Sequence, residues 1–201
     1  MATESKHSFS KRRLQRWALA LTAAAVACLP TVPVLAQSYN SDGMTLFGGV
    51  DADLRLPYNL RNNDRRNTRA QYALRVPGDK VQRATQRISI VYPEAFSNHS
   101  GRLNLEDIQV RRGRGTDGTL IEVADIQEQE IVFQNRPATR LDLYLTEDIP
   151  SDTTFTVVLD SVRNPNRALM QRFWLGLQYT GDPILAYVGA WELLIAYEDR
   201  D

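Results

Sequence analysis

Hydrophobic side chains recur at every second residue along much of this chain, and this alternation restricts its fold more than any other feature. Leu141, Leu143 and Leu145, for example, alternate with Asp142 and Tyr144. A spacing of two places one row of side chains on one face of an extended strand, whereas a helix needs a spacing of three or four. The same alternation occurs in residues 72–76, 88–92, 108–110, 121–123, 155–159, 173–179 and 191–197. The sequence therefore predicts a set of strands that each have one buried face.

Turn-forming residues separate these segments. Asp117-Gly118 is a pair that favours tight hairpins, and further turn signals occur at Asn135, Pro150, Asn164-Pro165 and Asp182-Pro183. Strand-length segments separated in this way predict an all-β fold, a single antiparallel β-sandwich of immunoglobulin-like architecture with about seven to nine strands.

Regions without the alternation are few. One or two helical turns are expected within residues 79–86 and a single turn within 103–107, because these segments lack the spacing of two. Residues 58–69 are rich in Asn and Arg, and we expect a solvated loop there.

The first 36 residues have the pattern of a helical, cleavable secretory signal peptide. A basic stretch that ends at Arg16 precedes an apolar run, and small residues then lead to Ala36. The apolar run, residues 17–29, is shorter than the roughly 20 residues that a membrane-spanning helix needs, which disfavours an uncleaved anchor. Lipid attachment at Cys28 is an alternative, since residues 25–28 loosely match a lipobox without its usual Leu.

Cleavage after Ala36 divides the chain into three parts. We expect the signal peptide at residues 1–36, a flexible lead-in at 37–43 and one β-sandwich domain at 44–201. The expected location is the periplasm or the extracellular space, with membrane contact only through the leader before it is cleaved.

The net charge of the chain is zero, but the leader conceals an acidic domain. Removing it takes away five basic residues and one acidic residue, which leaves 19 basic and 23 acidic residues, a net charge of −4. Nucleic acids and anionic membrane surfaces need a basic footprint, so the overall charge argues against both as the main partner. The single cysteine, Cys28, lies in the leader, and the domain is left with one histidine, His99.

Several segments of the mature chain resemble one known family. They are residues 72–76 with Pro77, the Ile149-Pro150 pair, residues 161–165 (Ser-Val-Arg-Asn-Pro), the aromatic segment 173–177 and the closing segment 189–199. Together they are similar to a family of exported cyanobacterial proteins catalogued as a domain of unknown function (number 2808). The resemblance implies export and a β-rich domain, and it implies no catalytic residue. Residues 166–172 lack a Gly that other members have before the aromatic strand.

Reactive constellations are sparse in the mature sequence. A zinc site needs three or four suitable ligands, and one imidazole without a thiolate does not supply them. No Gly-x-Ser-x-Gly elbow is present for a nucleophilic serine, and His99 lies in a polar turn. Acidic residues cluster at Asp51/Asp53, at Glu147/Asp148/Asp152 and near the C-terminus, which leaves a carboxylate-based hydrolase or a weak divalent-ion site open. We expect no enzyme activity and no cofactor.

Aromatic side chains supply the most specific hypothesis for a ligand site. Trp174 has the opposite parity from Phe173 and Leu175, and we expect it to be buried in a two-layer core; the alternative is that it is exposed for a partner, with Tyr144 and Tyr179 as candidates to join it. An aromatic surface of this kind suits a polysaccharide.

Two functional hypotheses follow. The first is a non-enzymatic cell-envelope or extracellular domain that acts through surface contacts with an envelope protein or a polysaccharide. The alternative is a carbohydrate-binding module that uses exposed aromatics around Trp174. The basic tip that contains Arg111, Arg112 and Arg114 is expected to be a flexible, solvated turn, and a contact for an acidic polysaccharide or protein is the alternative.

Overall fold

The structure is a computed structural model and describes residues 51–197. This part of the protein contains ten strands and one short helix. The predicted leader and lead-in lie outside the described residues. The strands are β1 (Tyr58–Arg61), β2 (Ala70–Val76), β3 (Thr85–Pro93), β4 (Ile108–Arg112), β5 (Leu120–Ile121), β6 (Val123–Phe133), β7 (Arg136–Ile149), β8 (Phe155–Val162), β9 (Leu169–Tyr179) and β10 (Leu185–Ile195). The helix is α1 (Glu94–Asn98), and single 3-10 turns occur at Ala52–Leu54, Gly78–Lys80 and Leu105–Asp107.

The strands form two five-stranded sheets, and every strand pair within them is antiparallel. The first sheet has the order β1-β2-β8-β4-β5, and the second sheet has the order β10-β9-β3-β7-β6. The core lies between them, because each sheet buries one row of alternating side chains. The predicted antiparallel sandwich is therefore confirmed. It has ten strands, which is more than the seven to nine expected, and two of them, β1 and β5, contain only four and two residues.

The buried rows are those that the alternation predicts. Leu141, Phe155 and Trp191 are all completely inaccessible to solvent. The indole Nε1 of Trp191 donates a hydrogen bond to the carbonyl oxygen of Arg75 at 3.1 Å, so the polar atom of this large core residue is satisfied. The ring of Phe96, on α1, packs edge-on against Tyr92 and Phe173, which closes one end of the core.

Three segments differ from the sequence-based expectation. Residues 58–61 form strand β1 instead of a loop, because their backbone pairs with β2 in register from Tyr58–Leu74 to Arg61–Gln71. Of residues 79–86, only the first two join the 3-10 turn Gly78–Lys80, and Thr85 already begins β3. Helix α1 was not expected, and Phe96 is its single buried residue. The turn expected within residues 103–107 is present as Leu105–Asp107.

The two edge strands of the second sheet, β10 and β6, differ in how far other segments of the chain cover them. At β10, Arg55 forms a parallel bridge with Ala190, and the side chain of Asn63 bonds the backbone of Leu194 and Ala196. At the opposite edge, β6 pairs with β7 alone, and residues 127–130 of this strand are exposed. The β10 edge is thus partly covered by the chain itself, whereas the β6 edge is lined by charged and amide side chains.

Candidate functional site

The face of the second sheet that points away from the core, called the outer face here, carries Trp174. Its neighbours Phe173 and Leu175 are fully buried, and Trp174 itself is half-buried on the opposite side of β9. Register places Val91 of β3 and Ala190 of β10 beside it. These small or medium side chains leave room for the indole to lie along the sheet, as the alternation predicts for the parity of Trp174.

Two more aromatic rings contact Trp174 on the outer face. The centroid of its ring lies 5.5 Å from that of Phe133 on β6 and 5.2 Å from that of Tyr187 on β10. We call Phe133, Trp174 and Tyr187 the aromatic cluster. The rings are tilted by 57° and 53° relative to Trp174, so they interlock and do not form one flat surface. Tyr187 is the most accessible member, at 40% exposed, whereas Trp174 and Phe133 are half-buried.

An arginine occupies one side of the cluster. The guanidinium carbon of Arg172 lies 5.3 Å from the centroid of the Trp174 ring, which is a cation–π geometry. The same guanidinium is 2.9 Å from a carboxylate oxygen of Glu192, and Glu192 also pairs with Arg55 at 3.1 Å. The indole is therefore held between aromatic rings and a fixed cation, with charged groups at the rim.

The structure separates the three residues that the sequence proposed as a ligand surface. Tyr144 is half-buried on the outer face, but it lies on β7 opposite Arg87, whose guanidinium carbon is 5.4 Å from its ring centroid. Tyr179 is only 4% exposed, on the core side of β9, with the guanidinium of Arg83 4.6 Å from its ring centroid. Tyr179 has the parity of Phe173, so it packs inward and is not part of the outer surface.

A buried carboxylate organises the outer face between Tyr144 and the cluster. Asp142 is 2% exposed and lies 2.9 Å from Nε of Arg140 and 4.0 Å from Nη1 of Arg87. Ser89 is its register neighbour on β3, and Oγ of Ser89 and Oδ1 of Asp142 have no hydrogen-bond partner within the described part of the chain. Asp142 thus holds two arginines against the sheet, and Arg87 in turn supports Tyr144 through a hydrogen bond of 3.2 Å.

A groove with a volume of about 1120 Å³ opens along the side of the sandwich, between β6 and residues 97–106. Hydroxyl, amide and charged side chains dominate its lining. The phenol of Tyr92 donates a short hydrogen bond to Glu128 at the groove wall. Burial, and then this bond, raise the pKa of Tyr92 above its ordinary value.

The histidine and the acidic residues that the sequence singled out form no metal site within the described residues, and the acidic cluster near the C-terminus, residues 198–201, lies outside them. Within residues 51–197, no group of three or more His, Asp or Glu side chains is placed to hold a metal ion. His99 is half-buried in the turn after α1, and its Nε2 contacts the guanidinium of Arg167. Asp148, from the predicted acidic cluster, is exposed and accepts a hydrogen bond from Oγ1 of Thr180.

Sequence reasoning missed two contributors to the aromatic cluster. The parity of Phe133 and Tyr187 is visible in the sequence, but their contact with Trp174 depends on the strand order β10-β9-β3-β7-β6. The cation–π contact of Arg172 could have been suspected, because residues two apart on a strand share a face.

Comparison with known proteins gives one family and a few distant structures. The model of a family described as "Protein of unknown function (DUF2808)" matches residues 44–195. No curated protein matches this sequence.

Among solved structures, the collagen-binding domain of a Staphylococcus aureus adhesin has a TM-score of 0.37 at 11% identity, covering 69% of this chain and 94% of its own. The collagen-binding subdomain of the Enterococcus faecalis surface protein ACE has a TM-score of 0.37 at 12% identity, with 69% and 96% covered. An uncharacterized Nocardia farcinica protein with an immunoglobulin-like fold has a TM-score of 0.39 at 10% identity, with 72% and 99% covered. At this level of similarity, none of them transfers a ligand or a role.

Proposed function

The chain belongs to the family of proteins of unknown function DUF2808, and on that premise we propose that it is an exported, non-enzymatic domain that binds another envelope protein. The binding surface in this proposal is the aromatic cluster on the outer face of the second sheet. The observation that carries it is the packing of Trp174 between Phe133, Tyr187 and the guanidinium of Arg172.

The composition of this surface is that of a protein interface. Trp, Tyr and Arg are the residues most enriched at the energetic centres of protein–protein contacts, where a rim of polar groups surrounds them. Here Glu192 and Arg55 supply charged groups beside the cluster. Met170 and Leu194 lie opposite each other in register beyond the Arg172–Glu192 ion pair, and they are 67% and 41% exposed. They add exposed apolar side chains to the same face of the sheet, on the far side of that ion pair.

Export is the second element of the proposal, and it rests on the signal-peptide pattern that ends at Ala36. Within residues 51–197, no helix has the length and apolar character required to cross a membrane. After residue 36 the sequence has one histidine, no cysteine and no Gly-x-Ser-x-Gly elbow, which supports a binding role in this proposal.

Site-specific photo-crosslinking in the native envelope tests the protein-binding proposal. A photoreactive phenylalanine analogue at Tyr187 should give an adduct of discrete mass with an envelope protein, and Trp174→Ala in the same background should abolish that adduct. The control position is Leu120, which is 57% exposed on β5 of the other sheet. Adducts of equal yield from both positions, or no protein adduct from Tyr187, would overturn the proposal.

Carbohydrate binding is the second candidate, since the accessible ring of Tyr187 adjoins Trp174. A sugar ring stacks best on an aromatic face, and the mutual tilts of more than 50° leave no shared platform for a longer chain. Retention on neutral polysaccharide columns that Trp174→Ala removes, without any protein adduct from position 187, would favour this candidate instead.

A further inference from the structure

Six arginines with exposed side chains lie on three loops that meet at one end of the sandwich. The β1–β2 loop carries Arg65, Arg66 and Arg69, the segment between α1 and β4 carries Arg102, and the β8–β9 loop carries Arg163 and Arg167. We call these six residues the basic end. They are far apart in sequence, so the fold alone brings them together.

Hydrogen bonds between the loops establish that they are neighbours. The backbone nitrogen of Arg66 donates to the carbonyl of Pro165 at 3.1 Å. Arg102 and Arg163 exchange two backbone hydrogen bonds of 2.9 Å, as an isolated antiparallel bridge. Asn166 donates to the carbonyl of His99 at 2.9 Å. All three loops are thus fixed to one another by their backbones, and their side chains share one surface.

The positive charge of this surface is only partly balanced within the described residues. None of the six guanidinium groups forms an ion pair there, and the six arginines outnumber the three acidic residues on the three loops, which are Asp64, Glu106 and Asp107. Glu106, Glu128 and Glu130 line the adjoining groove, where Glu128 already accepts a hydrogen bond from Tyr92. A domain with an overall negative charge therefore concentrates arginines without carboxylate partners on these loops, which attracts an anionic ligand to that end.

We propose that the basic end binds an anionic polysaccharide through its carboxylate or sulfate groups. The planar guanidinium forms two parallel hydrogen bonds with such groups, which suits Arg better than Lys for this purpose. The groove beside the loops continues the surface, and Thr68, Ser100 and Ser161 in its lining offer hydroxyl groups to the hydroxyls of a sugar chain.

Two other anionic partners fit this end less well. Membrane-surface binding usually combines basic side chains with apolar ones that enter the bilayer, and none of the large exposed hydrophobic side chains of residues 51–197 belongs to the three loops. Single-stranded nucleic acid is usually held by aromatic rings on which bases stack, and the loops contain no Phe, Tyr or Trp.

The test uses two charge-matched double variants of the protein purified in the form that cells produce. Arg66→Gln/Arg163→Gln removes two charges from the basic end. Arg112→Gln/Arg114→Gln removes two exposed charges from the basic tip, which the sequence offers as the rival contact for an acidic polysaccharide, so the two variants distinguish the two candidate surfaces. The basic tip lies near the start of β8, whereas Arg163 follows the last residue of that strand. The eight residues of β8 separate the two positions by about 25 Å, which is more than the Debye length of about 10 Å at 0.1 M salt.

Binding to polygalacturonate is measured at several salt concentrations, with neutral dextran as the uncharged reference. We expect salt-sensitive binding to polygalacturonate alone, weakened about tenfold by the basic-end variant and left nearly unchanged by the control variant. Circular dichroism and thermal unfolding verify that both variants fold.

Three results would overturn the proposal: equal losses in both variants, binding that salt does not weaken, and absence of polygalacturonate binding. The protein could instead bind vesicles with anionic lipid, or single-stranded DNA, and not polygalacturonate. If that binding weakens in the basic-end variant, the basic end binds anionic ligands but the polysaccharide assignment is wrong. The crosslinking experiment at Tyr187 uses other residues, so failure of either proposal leaves the other intact.

Discussion

The phenol of Tyr72 donates a hydrogen bond of 2.7 Å to Oδ1 of Asn164, and both side chains are buried. Tyr72 lies in the middle of β2, and Asn164 lies in the loop after β8. The side-chain nitrogen of Asn164 donates to the carbonyl of Asp64 at 2.9 Å, and its backbone nitrogen donates to the carbonyl of Asn67 at 2.7 Å. One buried amide therefore connects the core to the two loops that carry five of the six arginines of the basic end.

Replacing Asn164 with Ala should destabilise the protein by about 3 kcal/mol, because the buried phenol of Tyr72 and the carbonyl of Asp64 would both lose their partner. Denaturant unfolding followed by circular dichroism measures the change. Asn166→Ala is the matched control, since Asn166 is exposed in the same loop. Equal stability of the two variants would contradict the central role assigned to Asn164.

The two tryptophans of the described chain should respond differently to truncation. Trp191→Ala should lower the free energy of unfolding by about 3–5 kcal/mol, because Trp191 is completely buried and the change leaves a large cavity. Trp174→Ala should lower it by only about 1–2 kcal/mol, because one side of the ring contacts solvent or the Arg172 side chain. Urea titrations of both variants provide the comparison. A larger loss of unfolding free energy for Trp174→Ala than for Trp191→Ala would contradict the assignment of Trp174 to the outer face of β9.

Alkaline pH should destabilise the fold through two buried tyrosines. Burial raises the pKa of Tyr72, and burial followed by the hydrogen bond to Glu128 raises the pKa of Tyr92, each above the ordinary value of 10.0. A pKa that is higher in the folded state stabilises the protein fully below 10.0, and this contribution is lost as the pH rises beyond 10.0.

Unfolding free energies measured on both sides of pH 10.0, together with tyrosinate absorbance, test this expectation. Tyr92→Phe should make the alkaline loss of stability less steep, because one of the two raised pKa values is then removed. If the unfolding free energy of the parent protein does not change above pH 10.0, the predicted role of the two buried tyrosines is wrong.

Removal of the buried carboxylate on the outer face should be costly. Asp142→Ala leaves Arg87 and Arg140 without their shared partner, in side chains that are only 18% and 32% exposed, and should destabilise the protein by about 3 kcal/mol. Adding Arg140→Ala should recover part of that loss, since one of the two uncompensated charges is then gone. A double-mutant cycle based on thermal unfolding measures the coupling, and strictly additive effects would show that the pair does not interact.

Much of the fold is predictable from local pattern alone. The parity of Leu141, Phe155 and Trp191 identifies the core faces, because burial on one side of a strand imposes a spacing of two. The same reasoning places Trp174 on the outer face and Tyr179 in the core, so the inclusion of Tyr179 in a ligand surface conflicted with its own parity. Asp142 has the outward parity but is buried by the arginines that lie over it, which parity does not reveal.

The candidate surfaces depend on contacts between distant segments, and local pattern does not encode these. Phe133 reaches Trp174 only because β6 and β9 are in the same sheet with two strands between them. The loops that carry Arg66 and Arg163 are neighbours because the Asn164 side chain donates a hydrogen bond to the carbonyl of Asp64, and the sequence does not reveal this pairing. The sequence predicts a loop at β1 because the segment is polar, but its backbone pairs with β2, which composition does not reveal.

The exposed strand β6 has a bearing on how the protein behaves when crowded. If two copies aligned this edge in antiparallel fashion about Gln129, Glu128 of each would meet Glu130 of the other, and like charges placed directly opposite each other repel. The carboxylates thus discourage the growth of a continuous intermolecular sheet, while the covered β10 edge offers little backbone for a second copy to extend.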